Sequence, residues 1–416
     1  MKINGLFKSV VIILLSTLIV ACGGGGSSAG SNSTYTGAIT GFGSIFVNGV
    51  EFDTSGASIR IDDKSGTESD LKVGMQVTIS GQENGSTGTA SNVTFSDDLE
   101  GIVISNAIVS GQATGDMNIM GQTVTITDTT IMESKVAGVV TPDQITTGMI
   151  VEVSGSSSGT GSITATRIEV KASDLATYLA AHTEGIELKG IVKNHVAGSF
   201  QFDVGGMTID YAGAKLDNMP AGSYNGLYVE VKSIQGLDQS NNLVASKVEL
   251  ENNGIKGSQG SDKHELEVHG LISKDIAGDN TFSVNGQVFK VDTNTRYSGI
   301  SKGALLTGVM VKVEAYFMNG VLIARKVKKE NTSSGLKIKG NVATVTTSGT
   351  NTGTVTMQDG TVIIVDSNTI MKDSRNNGVV PNPHFNLQGL SQGDYVKIDY
   401  INNGGTLVAI KLEREN

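Results

Sequence analysis

The sequence predicts an all-β protein, a tandem array of five small five-stranded barrels behind a cleaved export signal. Three observations carry that expectation. The 416 residues hold 54 Gly but only 4 Pro, with 5% aromatics, a composition of tight turns between short strands. A glycine-led pattern of alternating apolar residues recurs five times. The one long apolar run lies at the N-terminus, and nothing after it is apolar for long enough to span a bilayer. A chain of this length favours several domains over one core, and its 38% hydrophobic content is enough to fold them.

Each repeat opens on a glycine followed two residues later by Ile or Val: Gly37-Ala38-Ile39, Gly101-Ile102-Val103, Gly190-Ile191-Val192, Gly270-Leu271-Ile272 and Gly340-Asn341-Val342. Later in each unit a second glycine leads an alternating strand, beginning at Gly74, Gly148, Gly226, Gly308 and Gly393. The two glycines stand 36 to 38 residues apart in three units and further apart in the second and fifth, the pattern that loop insertions produce. Between them, Asn48-Gly49, Met120-Gly121, Gly205-Gly206, Asn285-Gly286 and Asp359-Gly360 mark a tight hairpin that needs positive backbone angles. A second hairpin follows the Gly-led strand at Asn84-Gly85, Ser158-Gly159, Asn319-Gly320 and Asn403-Gly404. The closing strand carries a small residue among apolars, at Ala90, Ala165, Ala245, Ala324 and Ala409.

Each unit therefore reads as three strands, a variable loop and a two-strand hairpin. Five strands with the variable connection between the third and fourth suit an OB-like barrel. An immunoglobulin-like sandwich is the runner-up, but it needs about seven strands. The expected modules span 36–98, 99–172, 185–252, 265–331 and 336–416. Helical spacing occurs only at Ser173–His182, with Ser173 as the cap, giving a helical linker over 173–184; the polar stretch 253–264 is a second linker.

The first unit, GAITGFGSIFVNGVEFDT followed by LKVGMQVTISG, resembles the DUF5666 domain, a bacterial family of unknown function frequent among lipoproteins. Gly41-Phe42-Gly43-Ser44 and Val47-Asn48-Gly49-Val50 are its specific part. Later copies keep the Gly-led strand and hairpins but lose Gly-Phe-Gly-Ser. The resemblance brings no catalytic or binding residues with it.

Lys2 and Lys8 precede the apolar run from Val10 to Val20, which closes on Ala21 and Cys22. A positive start, an apolar centre and a small residue at the end make an export signal rather than a span. Ile19-Val20-Ala21-Cys22 resembles the lipobox of bacterial lipoproteins, with Ile19 where Leu is commonest and Val20 where a small residue is. The resemblance implies cleavage after residue 21 and lipidation of Cys22, the membrane being reached through that anchor. Each buried acyl methylene contributes about 0.8 kcal/mol, so several chains hold permanently. Gly23, in place of an inner-membrane-retaining Asp, points by analogy to the outer membrane, with the body facing the periplasm or the outside. Residues 22–35, nearly free of charge and apolar surface, are expected to be a flexible tether. Cys22 is the only cysteine, which excludes an intrachain disulfide framework and a thiolate metal cluster.

The net charge of −10 repels nucleic acid, and the signal carries Lys2 and Lys8 but no acid, so the exported part is more acidic still. Basic runs at 325–329 and 337–339 alternate with apolar residues and read as solvated strand faces. His264 and His269 are five apart in a strand, on opposite faces, so they nominate no metal site. Acids cluster at Asp62, Asp63, Glu68 and Asp70, and at Asp97, Asp98 and Glu100, without a recognised calcium-loop spacing. Asp292 and Asp366 recur in VDTNT and VDSNT, where Asp–Thr turn capping is the simpler reading. No phosphate loop stands out, and Gly41-Phe42-Gly43-Ser44 is no nucleophile elbow in an all-β unit. Tyr228 and Tyr395 read as packing, with Tyr316, Phe317 and Phe385 as exposed exceptions.

The expectation is thus a non-catalytic cell-envelope lipoprotein without cofactor or metal, whose modules act as a scaffold or protein-interaction array. The alternatives are a glycan- or peptide-binding surface lipoprotein, using barrel faces or the loops at 130–147 and 370–392, and, less favoured, an enzyme of unknown type.

Overall fold

A computed structural model of the chain describes residues 33–416 apart from 63, 85–86, 128, 158–160, 252–264, 285–286, 307–308, 319–320, 330–335, 377 and 404–405. The expected export signal, Cys22, the expected tether as far as residue 32, Asp63, the expected second linker and His264 lie outside the described residues.

β-Branched residues at every second position build strands whose apolar side faces inward. Ser33–Phe42 pairs antiparallel with Ile45–Val47, and that strand with Val50–Asp53. Ser33–Phe42 also pairs antiparallel with Gln76–Asn84, and that strand with Thr87–Phe95. Thr87–Phe95 then runs parallel to Val50–Asp53 and to its continuation Ser58–Ile61. The barrel is thereby closed in the order first, second, third, fifth, fourth. In 99–172 the same pairings hold, ending in the parallel closure of Gln122–Ile126 and Ile131–Ser134 on Ser162–Ala172. Segments 265–329 and 336–415 repeat them. In 186–250 they recur with the closing strand in two pieces, Leu243–Val244 and Lys247–Leu250.

The glycine before each fourth strand has a physical reason. Gly74, Gly148, Gly226 and Gly393 sit at φ of 88°, 92°, 85° and 88°, where a side chain is strained. In that conformation each amide donates to the carbonyl of the first strand, at Ile39, Val103, Val192 and Val342, over 2.8–2.9 Å. The amides of those four residues donate back to Met75, Met149, Leu227 and Asp394. This pair of bonds joins the fourth strand to the first.

Turn chemistry follows the sequence. Asn48-Gly49 and Met120-Gly121 both have positive φ at both residues. Asp292 and Asp366 accept from the amides of Asn294 and Asn368, at 2.8 and 2.9 Å, as turn caps. Thr295 and Thr369 then donate to the carbonyls of Ala324 and Ala409, as Thr130 does to Ala165. The small residue of the closing strand is where this hydroxyl reaches in.

Some elements differ from expectation. The first strand begins at Ser33, and Tyr35 packs 5.0 Å from the Phe52 ring, so residues 33–35, expected in the tether, belong to the first strand. The linker helix is one short turn, Leu175–Leu179, capped by the Asp174 carboxylate rather than by Ser173. Phe385 is buried, not exposed: it plugs its barrel with Leu387 and Leu390, and the Arg414 guanidinium lies 4.2 Å over its ring. Tyr228 is buried and Tyr316 and Tyr395 half-buried; the Phe317 side chain lies outside the described residues. Among the described residues no helix is long and apolar enough to cross a membrane.

The barrels are not strung in line. Segment 33–95 adds Thr34 and Tyr35 to the strand at Leu266 and Glu267. It accepts the Thr166 hydroxyl on Gly74 O and the Arg167 guanidinium on Val73 O. It exchanges bonds with the last barrel, from Thr40 to Ser367 O and from Ser367 to Gly49 O. Segments 99–172 and 186–250 share one apolar core, because the hairpin at Gly121 accepts the Gly206 amide at 3.1 Å.

The glycine rule is testable. An added Cβ at Gly226 meets nothing within 4 Å, whereas at Gly74 it stands 2.8 Å from Thr166 O. Gly226→Ala should lower unfolding free energy by about 1–2 kcal/mol, the backbone cost alone, and Gly74→Ala by more, as read from urea denaturation.

Candidate functional site

Strand register places like charges side by side. Glu133 faces Glu169, Glu169 faces Glu152, Glu152 faces Glu100, and Glu100 faces Glu187. Five adjacent strands thus carry glutamates in one row, continued on the next three by Lys232, Lys247 and Lys215. Carboxylates opposed across a ladder repel, so the row depends on cations from neighbouring positions. Arg167, 1% exposed, places Nη2 2.6 Å from Glu133 and 3.1 Å from Glu169. Lys72 reaches Glu169 from the first barrel, also at 3.1 Å. Lys171 pairs with Glu152 and stands 3.7 Å from Glu100. Lys189 lies 2.6 Å from Glu187 and donates to Ser96 Oγ and Asp97 O, both at 2.7 Å. Lys232 bridges Glu187 and Glu230. The face of the second and third barrels that would otherwise meet water is therefore covered by the first.

The acids divide by what surrounds them. Burial would raise Glu187, but Lys189 and Lys232 outweigh it and hold the carboxyl at about 2. Burial would likewise raise Glu169, and its cations hold it well below the usual range. Glu100 is pushed up to about 7 by burial, against the pull of Lys171. Asp62 and Asp98 rise to about 6 through burial. Asp97, 3% exposed, is raised well above the ordinary value by burial and by Glu152, Asp62, Glu187 and Glu100. Asp97, Glu100 and Glu152 each bring one oxygen within 4.8 Å of the other two. Asp97 Oδ1 and Glu100 Oε1 are buried without a hydrogen-bond partner. Lys189 touches the Ser96 hydroxyl, but Glu187, Glu230 and Asp97 outweigh burial and keep its ammonium protonated, so it is no base for that hydroxyl.

Asp62, Asp97, Asp98 and Glu100, two separate clusters in sequence, thus meet in one place. Glu68 instead accepts from Thr54, and Asp70 caps the Thr67 amide at 2.8 Å. Glu152 and Glu187 were not nominated by sequence; their signal was an acid within an alternating strand, a pattern shared with any solvated face. His269 lies in the strand Glu265–Lys274. His182 and His195 stack on Tyr178 and Tyr224 at 4.3 Å, and His384 packs 4.2 Å from Phe42. The basic runs carry half-exposed side chains paired with acids, Arg325 and Lys326 with Glu314 and Lys339 with Glu415.

The sequence signature of DUF5666, described as a domain of unknown function, matches residues 36–94, 100–169, 269–328 and 339–413, more than half of the chain. The chain belongs to the DUF5666 family. No curated protein matches it. In this DUF5666 protein the stretch 186–250 keeps the strand pairings outside the four matches. The Gly-Phe-Gly-Ser piece of the first DUF5666 match is a docking turn. A Cβ at Gly41 would stand 2.1 Å from Asn351 Nδ2 and one at Gly43 2.3 Å from Thr350 Cγ2, so a side chain at either position would displace the last barrel's residues from their present places.

Two outcomes follow. Arg167→Ala leaves Glu169 buried with less compensation and should cost about 3–5 kcal/mol in urea denaturation. In the last barrel, burial would raise Glu413, but Lys372, Lys411 and Lys397, with the Ser374 hydroxyl, hold it at about 2. Asp373, between Arg375 and Arg414, is also depressed, and Arg414 in turn faces Asp394. Carboxyls depressed by folding contribute stability above their unfolded values near 4–4.5. Protection factors of the amides in 336–415, taken relative to intrinsic exchange at each pH, should therefore fall as pH drops from about 5 toward 2.

Proposed function

We propose that the protein is a non-catalytic cell-envelope lipoprotein whose five OB-like modules form one scaffold, anchored through Cys22 and presented to envelope protein partners. The observation that carries this reading is the way the copies are used: their polar faces and glycine turns are spent on one another. Strand order with parallel third and fifth strands supports the OB-like description, with a single 3-10 turn, at Glu68–Asp70, Pro142–Gln144, Lys302–Ala304 or Leu387–Gly389, standing between third and fourth strands. The segment 186–250 supplies the fifth copy. The signal pattern, the lone cysteine and the uncharged stretch after it support an outer-membrane anchor with a tether.

A ligand-binding face for glycan or peptide has one feature in its favour. Phe200 is 51% exposed and meets Tyr211 edge-on at 5.7 Å. Tyr211 and Tyr224 beside it are 6% and 8% exposed, so a single ring is offered where stacking faces use several. The scaffold reading is favoured.

Expression of the full chain in a double-membraned bacterium with an alkyne fatty acid tests the anchor. Wild type should carry the label and sediment with outer membrane, whereas Cys22→Ser should be unlabelled and soluble in the periplasm. Unlabelled, soluble wild type would remove the anchor from the proposal.

A further inference from the structure

We propose that Asp97, Glu100 and Glu152 form a binding site for one hard divalent cation, which locks the first barrel onto the second. The site goes beyond the scaffold reading and stands without the lipid anchor.

The argument begins from register. The residue before each opening glycine faces a fixed residue of the fourth strand. The five pairs are Thr36 with Thr78, Glu100 with Glu152, Lys189 with Glu230, His269 with Lys312, and Lys339 with Lys397. In the first barrel the two hydroxyls meet at 3.3 Å, and in the third the charges are opposite, 3.6 Å apart. In the last barrel Lys339 is about half exposed, so water screens the pair. Glu100 with Glu152 is different: like charges, with side chains 12% and 8% exposed.

Asp97 makes the imbalance larger. It leaves the end of the first barrel's closing strand and points a carboxylate at that pair, with Oδ1 buried and unbonded. Its neighbour Lys189 spends its contact on the Asp97 main-chain oxygen rather than on the carboxylate. Lys171 is bonded to Glu152, and Lys189, the other cation near Asp97, is shared with Glu187 and Glu230. Carboxyl groups here outnumber the cations, an excess that a divalent ion would neutralise. The chemistry of the donor set is all oxygen, which selects hard cations. One oxygen of each of the three lies within 4.8 Å of the other two, close enough for a single ion to reach all three.

The rival occupant is a proton shared among the carboxyls, and the experiment separates the two. The purified full chain, stripped with chelator, is titrated with Ca²⁺ and with Mg²⁺ by calorimetry at neutral pH, and its melting temperature is read in chelator and in Ca²⁺. Wild type should bind about one Ca²⁺ and melt higher with it. Asp97→Asn removes an uncompensated buried charge, so in chelator it should melt at or above wild type, keeping the fold intact for comparison. In Ca²⁺ the order should reverse, with affinity lowered at least tenfold; Glu152→Gln should lose affinity similarly. Glu249→Gln, a change to the acid paired with Lys247 in the third barrel, should leave binding unchanged. A wild type indifferent to both cations, or Asp97→Asn binding as tightly as wild type, would overturn the site.

Discussion

Strand register is the constraint on which the rest of this structure depends. With a side-chain period of two, one choice of pairing decides both what fills each barrel and what lies outside it. The pairing that sends Val151, Val153, Leu99 and Leu188 inward sends Glu152, Glu100 and Glu187 outward into a single row. A slip of one residue would bury the glutamates in an apolar interior. The row is therefore not free to rearrange, and its charge must be met from elsewhere. Arg167, Lys171, Lys189 and Lys72 meet most of it, the last from a different barrel. Docking of the first barrel is thus a consequence of how the second and third are paired.

That dependence explains what the sequence disclosed. Glycines at positive φ, Asn-Gly turns and Asp–Thr caps are local signals, each acting within a few residues, and they marked the barrels and their strands. The hydroxyl of Thr295 or Thr369 reaching the alanine of the closing strand accounts for the small residue that recurs there. The docking was not legible, because an acid on the outer side of a strand reads alike whether water or another barrel covers it. Asp97, Asp98 and Glu100 drew notice as neighbours in the chain. Glu152, some fifty residues on, joins them only when the fourth strand returns to the first. Phe385 failed for a related reason: a long loop suggests exposure, but this one folds back as the plug of its barrel.

Gly-Phe-Gly-Ser shows how a motif can be specific without being chemical. It occurs once because one copy docks this way. Gly41 and Gly43 admit Asn351 and Thr350 at distances no Cβ permits, while Phe42 is buried against His384. The other copies need no such turn and keep none.

Similar barrels raise a problem of order, since apolar docking faces would let any copy meet any other. Polar faces solve it by making the wrong neighbour costly. The five pairs at the equivalent position are two threonines, two glutamates, a lysine with a glutamate, a histidine with a lysine, and two lysines. The apolar pattern around them is nearly constant, so the copies differ most where they present charge. The glutamate-bearing face of the second barrel accepts Lys72 and would reject another acid. Burial sharpens this discrimination, because an unpaired charge loses water as well as its partner. The barrels therefore share one interior solution, while their outer faces differ in charge, and in the second and third barrels that difference is what the first barrel meets.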